Sequence, residues 1–196
     1  MTFDLENQYK ALVAGVDEAG RGPLAGDVVA SCVIIHQEKF PKAMIPLIRD
    51  SKQLSRKKRS FIFEELIHHP SIEVTIGTAS VDEIDDINIL QATFLAMNRA
   101  IEKIQNPIAT LLIDGNQCPQ GPFMRIPLIR GDQVCFSISL ASIFAKETRD
   151  RLMDKLHEEF PVYGWSKNAG YPTKSHKEAI KKYGLTKYHR KSFRVE

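Results

Sequence analysis

A short apolar run, Val13-Ala14-Gly15-Val16, leads straight into two adjacent carboxylates, Asp17 and Glu18. The turn Gly20-Arg21-Gly22-Pro23-Leu24-Ala25-Gly26 follows almost at once. The apolar run belongs inside a sheet. Carboxylates at the mouth of a buried strand are costly to desolvate unless positive charge stands beside them. A divalent cation meets that demand, and the backbone N–H groups of a Gly-Arg-Gly turn suit a phosphate or a sugar hydroxyl. The pattern points to metal-dependent chemistry on a phosphate-bearing substrate.

The rest of the chain supplies the sheet. Leu12–Asp17, Asp27–Ile35, Ile72–Ala79, Ala109–Asp114 and Met124–Ile129 are rich in Val, Ile or Leu and are bounded by Gly, Pro or polar residues, so each reads as a strand. Helices are predicted between and after them. One is capped by Ser55 and runs to about His68. A short one follows the capping-box spacing Ser80-Val81-Asp82-Glu83. From Asn88, the series Leu90, Phe94, Met97, Ile101, Ile104 reads as a core-facing helical stripe. A long helix from about Ser137 to Glu159 should bury Ile138, Ala141, Ala145, Leu152 and Leu156, and a last one, from about Ser175 to Tyr183, should stop at Gly184. The expectation is an α/β protein with a five-stranded mixed sheet flanked by helices on both faces. At 196 residues and 43% hydrophobic, the chain suits one domain with a full core.

Several classes are set aside. The start lacks a basic and an apolar leader region, so no secretory signal is expected, and Val28–Ile35 is too short to cross a bilayer. Cys32, Cys118 and Cys135 have no metal-site or disulfide spacing and suit a reducing cytoplasm. The turn after Glu18 lacks the ending of a phosphate-binding P-loop, and no serine-hydrolase elbow occurs.

The net charge of +3 is unevenly spread. Residues 161–196 carry nine lysines and arginines against two glutamates, hence +7, which leaves −4 for residues 1–160. Tyr163, Tyr171, Tyr183, Tyr188 and the single tryptophan, Trp165, share this basic segment. Cations interleaved with rings suit nucleic acid, the charges meeting phosphates and the rings stacking on bases or sugars. A solvated basic face with ordinary aromatic packing is the alternative.

Acidic residues recur at strand ends. Asp114 closes Ala109-Thr-Leu-Leu-Ile, and Asp132 follows Ile126-Pro-Leu-Ile-Arg-Gly131. Ligands of α/β sheets gather where strands leave the core, so Asp17 and Asp114 are expected to converge. Successive strand residues face opposite ways, so Glu18 joins them only where the strand is already breaking into its turn, which Gly20 favours. Oxygen donors without thiolate or imidazole suit Mg²⁺ or Mn²⁺ rather than zinc, and two such ions serve phosphodiester hydrolysis. The alternative roles are caps, turns or surface ion pairs, with helix capping the strongest rival for Asp132.

Together these residues resemble a family. Asp17-Glu18-Ala-Gly20-Arg21-Gly22-Pro-Leu-Ala-Gly26, Asp50-Ser51-Lys52, Asp114-Gly115, Gly131-Asp132, Ala141-Ser142-Ile-Phe-Ala-Lys146 and Gly170-Tyr171-Pro-Thr173 resemble the motifs of bacterial ribonuclease HII, in that family's order and over nearly the whole chain. The resemblance implies a ribonuclease H-like fold and metal-dependent endonucleolytic cleavage of RNA in RNA–DNA hybrids. It also implies incision 5′ of ribonucleotides embedded in duplex DNA, leaving 3′-hydroxyl and 5′-phosphate ends. By match, Asp17, Glu18, Asp114 and Asp132 are the catalytic, metal-binding carboxylates. Gly20, Arg21 and Gly22 meet the ribonucleotide's 2′-hydroxyl and flanking phosphates, Tyr171 packs near the following sugar, and Lys52, Ser142 and Lys146 steady the backbone. For Tyr171 a core or turn role is the alternative. For Lys146 it is plain solvation, since Arg149 at i+3 offers no salt bridge. A cytoplasmic monomer without an obligate protein partner or a sliding-clamp-binding tail is expected, with residues 161–196 as a helical, basic, substrate-binding region of the single domain.

The chain departs from the family pattern at Asp27, where proline is commoner, and at Ser166-Lys167-Asn168-Ala169, where a His-Lys pair is commoner. His189-Arg190-Lys191-Ser192-Phe193 matches it, in either a packing or a phosphate-binding role. Two rival readings remain: another nuclease of similar architecture, such as a resolvase or integrase, and a non-catalytic nucleic-acid-binding module.

Overall fold

A computed structural model describes residues 2–195. Strands β1 (Val13–Ala19), β2 (Val28–Ile35), β3 (Ile72–Ala79), β4 (Thr110–Asp114) and β5 (Met124–Leu128) form one sheet in the order β3-β2-β1-β4-β5. β1 and β2 pair antiparallel, as do β2 and β3, whereas β1–β4 and β4–β5 are parallel. The mixed sheet is the predicted one, with a single consequential shift. β1 stays regular through Ala19, which still pairs with Val29.

Strand alternation assigns the faces. Ala14, Val16, Leu111 and Ile113 pack with Ala92, Ala96 and Met97 of α2 (Val81–Ile101). Val13 and Leu112 pack with Cys135 and Ile138, at the start of α4 (Phe136–Glu159). Both helices lie unusually close to the sheet. A Cβ on Gly77 would stand 2.1 Å from the Ala96 carbonyl oxygen, and one on Gly15 2.3 Å from the Ser137 carbonyl carbon. Absent side chains let the helix backbones seat there.

The helix starts follow their caps. Ser55 Oγ accepts the Lys58 N–H ahead of α1 (Arg56–Leu66), and Ser80 and Glu83 complete a capping box. The two helices expected around Asn88 meet at a kink. Asn88 adopts φ 67°, and its Oδ1 accepts the N–H groups of Leu90 and Gln91. The buried stripe beyond it differs from the expected one: Ala92, Ala96, Met97, Ala100 and Ile101 are buried, while Leu90, Phe94 and Ile104 are only partly so. Small residues face the sheet because the contact at Gly77 leaves no room for larger ones. On α4, Met153 takes the core position near the far end, and Leu152 and Leu156 are partly exposed. No helix among the described residues is long and apolar enough to cross a membrane.

The C-terminal region overturns half of its expected role. Tyr163 and Trp165 are buried and stacked with ring centroids 5.1 Å apart, and they pack with Phe160, Tyr188, His176 and His189. These rings build a third core with Leu24, Met153 and Ile180. Large aromatic areas fill it because the segment offers few aliphatic side chains. Only Tyr171 and Tyr183 are exposed, beside surface cations on and around α6 (Lys174–Tyr183), which is capped by Thr173.

Candidate active site

The register Val16↔Ile113 makes Asp17 and Asp114 the next residues on adjacent parallel strands. Alternation puts both on the α4 face, two residues beyond Gly15 and Leu112. Asp114 Oδ1 accepts the Gly131 N–H at 2.6 Å, which ties β4 to the short helix α3 (Gly131–Val134) that carries Asp132. Asp132 makes no capping hydrogen bond. Arg130 holds the cap position of α3 and Cys135 that of α4, neither capping the helix through its side chain. The capping alternative for Asp132 therefore fails, and its carboxylate lies 3.7 Å from Lys52 Nζ. Because β1 is unbroken at Glu18, the pleat sends that side chain to the face opposite Asp17, where Arg21 Nη1 stands 3.5 Å away.

The electrostatics show how closely the acids gather. Burial, reinforced by Glu18, Asp114 and Asp132 and opposed by the Glu18 N–H at 2.7 Å, holds Asp17 well above the ordinary carboxylate range. Burial also raises Glu18, with Arg21 opposing and Asp114 adding. Asp132 is raised by burial and by Asp114 and Asp50, against Lys52. Desolvation at the cleft acts to lower Lys52, yet Asp132, Asp17, Asp50 and Asp114 together raise it. One exposed ammonium thus answers four carboxylates.

That surplus tests the expected cofactor. The donors are all hard oxygens, and their mutual repulsion is what a divalent cation relieves. Among the described residues no three His, Cys, Asp or Glu side chains close on a common point. By charge and donor chemistry the set fits the ion.

Asp17, Glu18, Gly20, Arg21, Gly22, Lys52, Lys146 and Tyr171 line one cleft of about 190 Å³. Asp114 borders an adjoining hollow of about 160 Å³ that shares Glu18 and Arg21 with it. Ser142 is not on the wall. Its buried hydroxyl donates to Ser139 O at 2.8 Å and accepts the Ser51 N–H at 3.4 Å, so it steadies the turn bearing Lys52. Tyr171 is exposed, which excludes the core alternative. Lys146 is not freely solvated: it donates to Asp150 Oδ1 at 2.5 Å and lies 6.0 Å from the Tyr171 ring centroid.

The glycines of the turn divide by cause. Gly20 has φ +102°, and a Cβ there would fall 2.1 Å from Arg149 Nε, so the fold itself demands glycine. At Gly22 a Cβ would meet only Tyr171 Cε1, at an ordinary 3.6 Å. The fold leaves that spot open, and it faces the exposed tyrosine.

Sequence reasoning named Asp50 within a motif but gave it no role, though its side chain accepts the Lys52 N–H at 2.8 Å, and it passed over Asp150, which joins Lys146 to the buried Arg59. The i,i+4 spacing of Lys146 and Asp150 was a signal that could have exposed the second. The role of Arg149 was missed and that of Arg190 was left open between packing and phosphate contact, since nothing local distinguishes a buried arginine from a solvated one.

The family model for ribonuclease HII matches residues 14–196. The chain belongs to the ribonuclease HII family. It is 52% identical over 192 residues to the ribonuclease HII of Orientia tsutsugamushi (strain Boryong), covering 97% of this chain and 90% of that protein. It is 47% identical over 189 residues to that of Granulibacter bethesdensis, covering 96% and 86%. The fold is similar to the ribonuclease H2 of Pyrococcus horikoshii OT3, with TM-score 0.75, 27% identity and 94% of each chain covered. As a ribonuclease HII the chain is a metal-dependent endonuclease that cleaves RNA in RNA–DNA hybrids. The non-catalytic reading is thereby set aside.

Proposed function

We propose that the enzyme also incises duplex DNA on the 5′ side of an embedded ribonucleotide, leaving 3′-hydroxyl and 5′-phosphate ends. The observation that carries this reading is the open Gly22 position, which faces Tyr171 in a cleft that Asp17 and Glu18 also line. Asp17, Asp114 and Asp132 would hold the divalent cations from one face of the sheet, and Glu18, across the pleat yet lining the same cleft at the strand end, would reach them from its edge. With two such ions bound, Mg²⁺ or Mn²⁺, these carboxylates would have at hand the chemistry to activate the attacking water and to offset charge on the leaving oxygen.

The chain's own groups do the selecting. A 2′-hydroxyl both donates and accepts, and it alone marks RNA at a given position. The backbone of Gly20-Arg21-Gly22 approaches it closely because no side chain intervenes at Gly22. The Arg21 guanidinium, half exposed beside Glu18, meets a flanking phosphate. Tyr171 packs on the sugar of the next nucleotide. Lys52 and Lys146 counter backbone charge on the other wall, and the exposed lysines of α6 hold the duplex. We take the enzyme to act as a monomer in a reducing cytoplasm, where Cys32, Cys118 and Cys135, in no disulfide among the described residues, stay thiols.

Incision of defined duplexes with zero, one or several ribonucleotides, with and without Mg²⁺ or Mn²⁺, tests this reading. One metal-dependent cut 5′ of a lone ribonucleotide is expected, with all-DNA duplexes and junctions left intact. Cleavage of an all-DNA junction would favour the resolvase-like reading.

A further inference from the structure

Two arginines lie inside the protein, each about 1% exposed, and all their hydrogen bonds go to backbone carbonyls. Arg190 aims all five of its N–H donors this way. Nε and Nη2 donate to Gly26 O at 3.0 and 2.7 Å, Nη1 to Arg21 O and Pro23 O at 3.0 and 2.8 Å, and Nη2 to Gly20 O at 2.6 Å. Arg149 braces the same loop from α4 through Ala25 O and Asp27 O, and reaches Ala169 O beside Gly170.

A buried guanidinium is costly to desolvate, so its bonds fix their acceptors firmly. In a trans peptide the C=O and the following N–H point in opposite directions. Turning the carbonyls of Gly20 and Arg21 inward to Arg190 therefore turns the N–H groups of Arg21 and Gly22 away from it, toward the cleft side. Neither N–H finds an acceptor among the described residues. These are the amides placed to meet a ribose hydroxyl.

The preceding residue serves the tyrosine in the same way. His189 Nδ1 accepts the Thr186 N–H at 2.9 Å, so its proton is on Nε2, 3.2 Å from His176 Nε2. His176 Nε2 also accepts from Trp165 Nε1 at 3.0 Å. The His176 proton is then on Nδ1 and is donated to Tyr171 O at 2.9 Å. Backbone bonds bind the pieces together: Arg190 N–H to Leu24 O, and Leu24 N–H to Gly170 O, both 2.8 Å.

We infer that His189-Arg190 is the positioning element of ribose readout, Arg190 aiming the Arg21 and Gly22 amides and His189 setting Tyr171 through His176. The inference rests on the ribose-reading assignment of that turn and tyrosine. Both side chains are buried, so neither meets a phosphate, and for these two residues of the segment the role is packing.

The test compares Arg190→Gln and Arg190→Lys with the parent enzyme on duplexes carrying one ribonucleotide or one 2′-fluoro nucleotide, below the melting temperature of each variant. Misaimed amides should lower kcat for the ribonucleotide by about 100-fold with KM within about two-fold, and the preference for ribose over 2′-fluoro should shrink with kcat. Arg190→Lys should recover part of both. The dependence of binding on salt should be unchanged. A salt slope lower by about one would mean a direct phosphate contact and would overturn the inference. So would an unchanged ribose preference, which marks a merely structural role. If Arg190→Gln does not fold, Arg190→Lys decides by the same ratio. A parent enzyme indifferent to the 2′ group overturns the ribose-reading assignment itself, a separate result.

Discussion

Replacing His189 with glutamine should flatten part of the acid limb of the stability curve. His189 is about 1% exposed, and burial with the neighbouring His176 pushes its pKa down to about 4, against an ordinary value of 6.5. The native state therefore keeps it neutral, while the unfolded chain takes up a proton below pH 6.5. Between those values the unfolded state binds more protons, so stability rises with pH and is lost as pH falls toward 4. The full difference is about 3 kcal/mol at 1.36 kcal/mol per pH unit, of which about 2 is gone by pH 5. The variant loses the bonds to Thr186 and His176, a cost of about 1–2 kcal/mol at pH 7.5. The two proteins should converge in stability near pH 5. Titrating acids elsewhere cancel in the comparison, since both proteins carry them. Urea unfolding followed by the fluorescence of Trp165, the only tryptophan and a hydrogen-bond partner of His176, measures the difference at each pH. A gap between variant and parent that stays constant from pH 7.5 to 5 would show that protonation of His189 does not shape the acid limb.

Asp17→Asn or Asp114→Asn should lower turnover by more than about 100-fold with the fold intact. Because the buried Asp17 carboxyl is held well above its ordinary range, Asp17→Asn should also raise the melting temperature of the metal-free protein near pH 7. That advantage should vanish in acid, where both states are protonated, and a lower melting temperature at neutral pH would count against the crowded-acid account. Gly22→Ala should leave stability within about 0.5 kcal/mol yet impair incision at a lone ribonucleotide. Gly20→Ala should cost about 1–3 kcal/mol or more. Equal melting temperatures for the two variants would break the distinction drawn between them. Duplex binding should weaken steeply with salt, the slope falling by about 0.9 for each lysine–phosphate contact removed. Lys181→Gln with Lys182→Gln offers a direct check by titration at several salt concentrations, and a flat salt response would refute the basic-face reading.

The periodicity and end chemistry of short segments carried much of this protein. Five apolar runs became five strands because burial in a sheet requires only a local pattern. Asp17 and Asp114 were legible as partners because each terminates such a run, and Ser55 and Ser80 because a cap acts within one turn. The motif order over residues 13–194 was enough to name the family. Tertiary structure decided what local pattern does not encode. Glu18 lies across the pleat because antiparallel pairing with β2 keeps β1 extended to Ala19. Trp165 and Tyr163 proved to be core because only packing against α4 and Leu24 shows which rings lose water. The same holds for the cations. Lys182 and Arg190 look alike in a basic tail, yet one remains in solvent and the other bonds the carbonyl of Gly20, 170 residues away in sequence. A charge becomes part of the framework only when distant backbone closes around it, and that closure is a property of the folded chain.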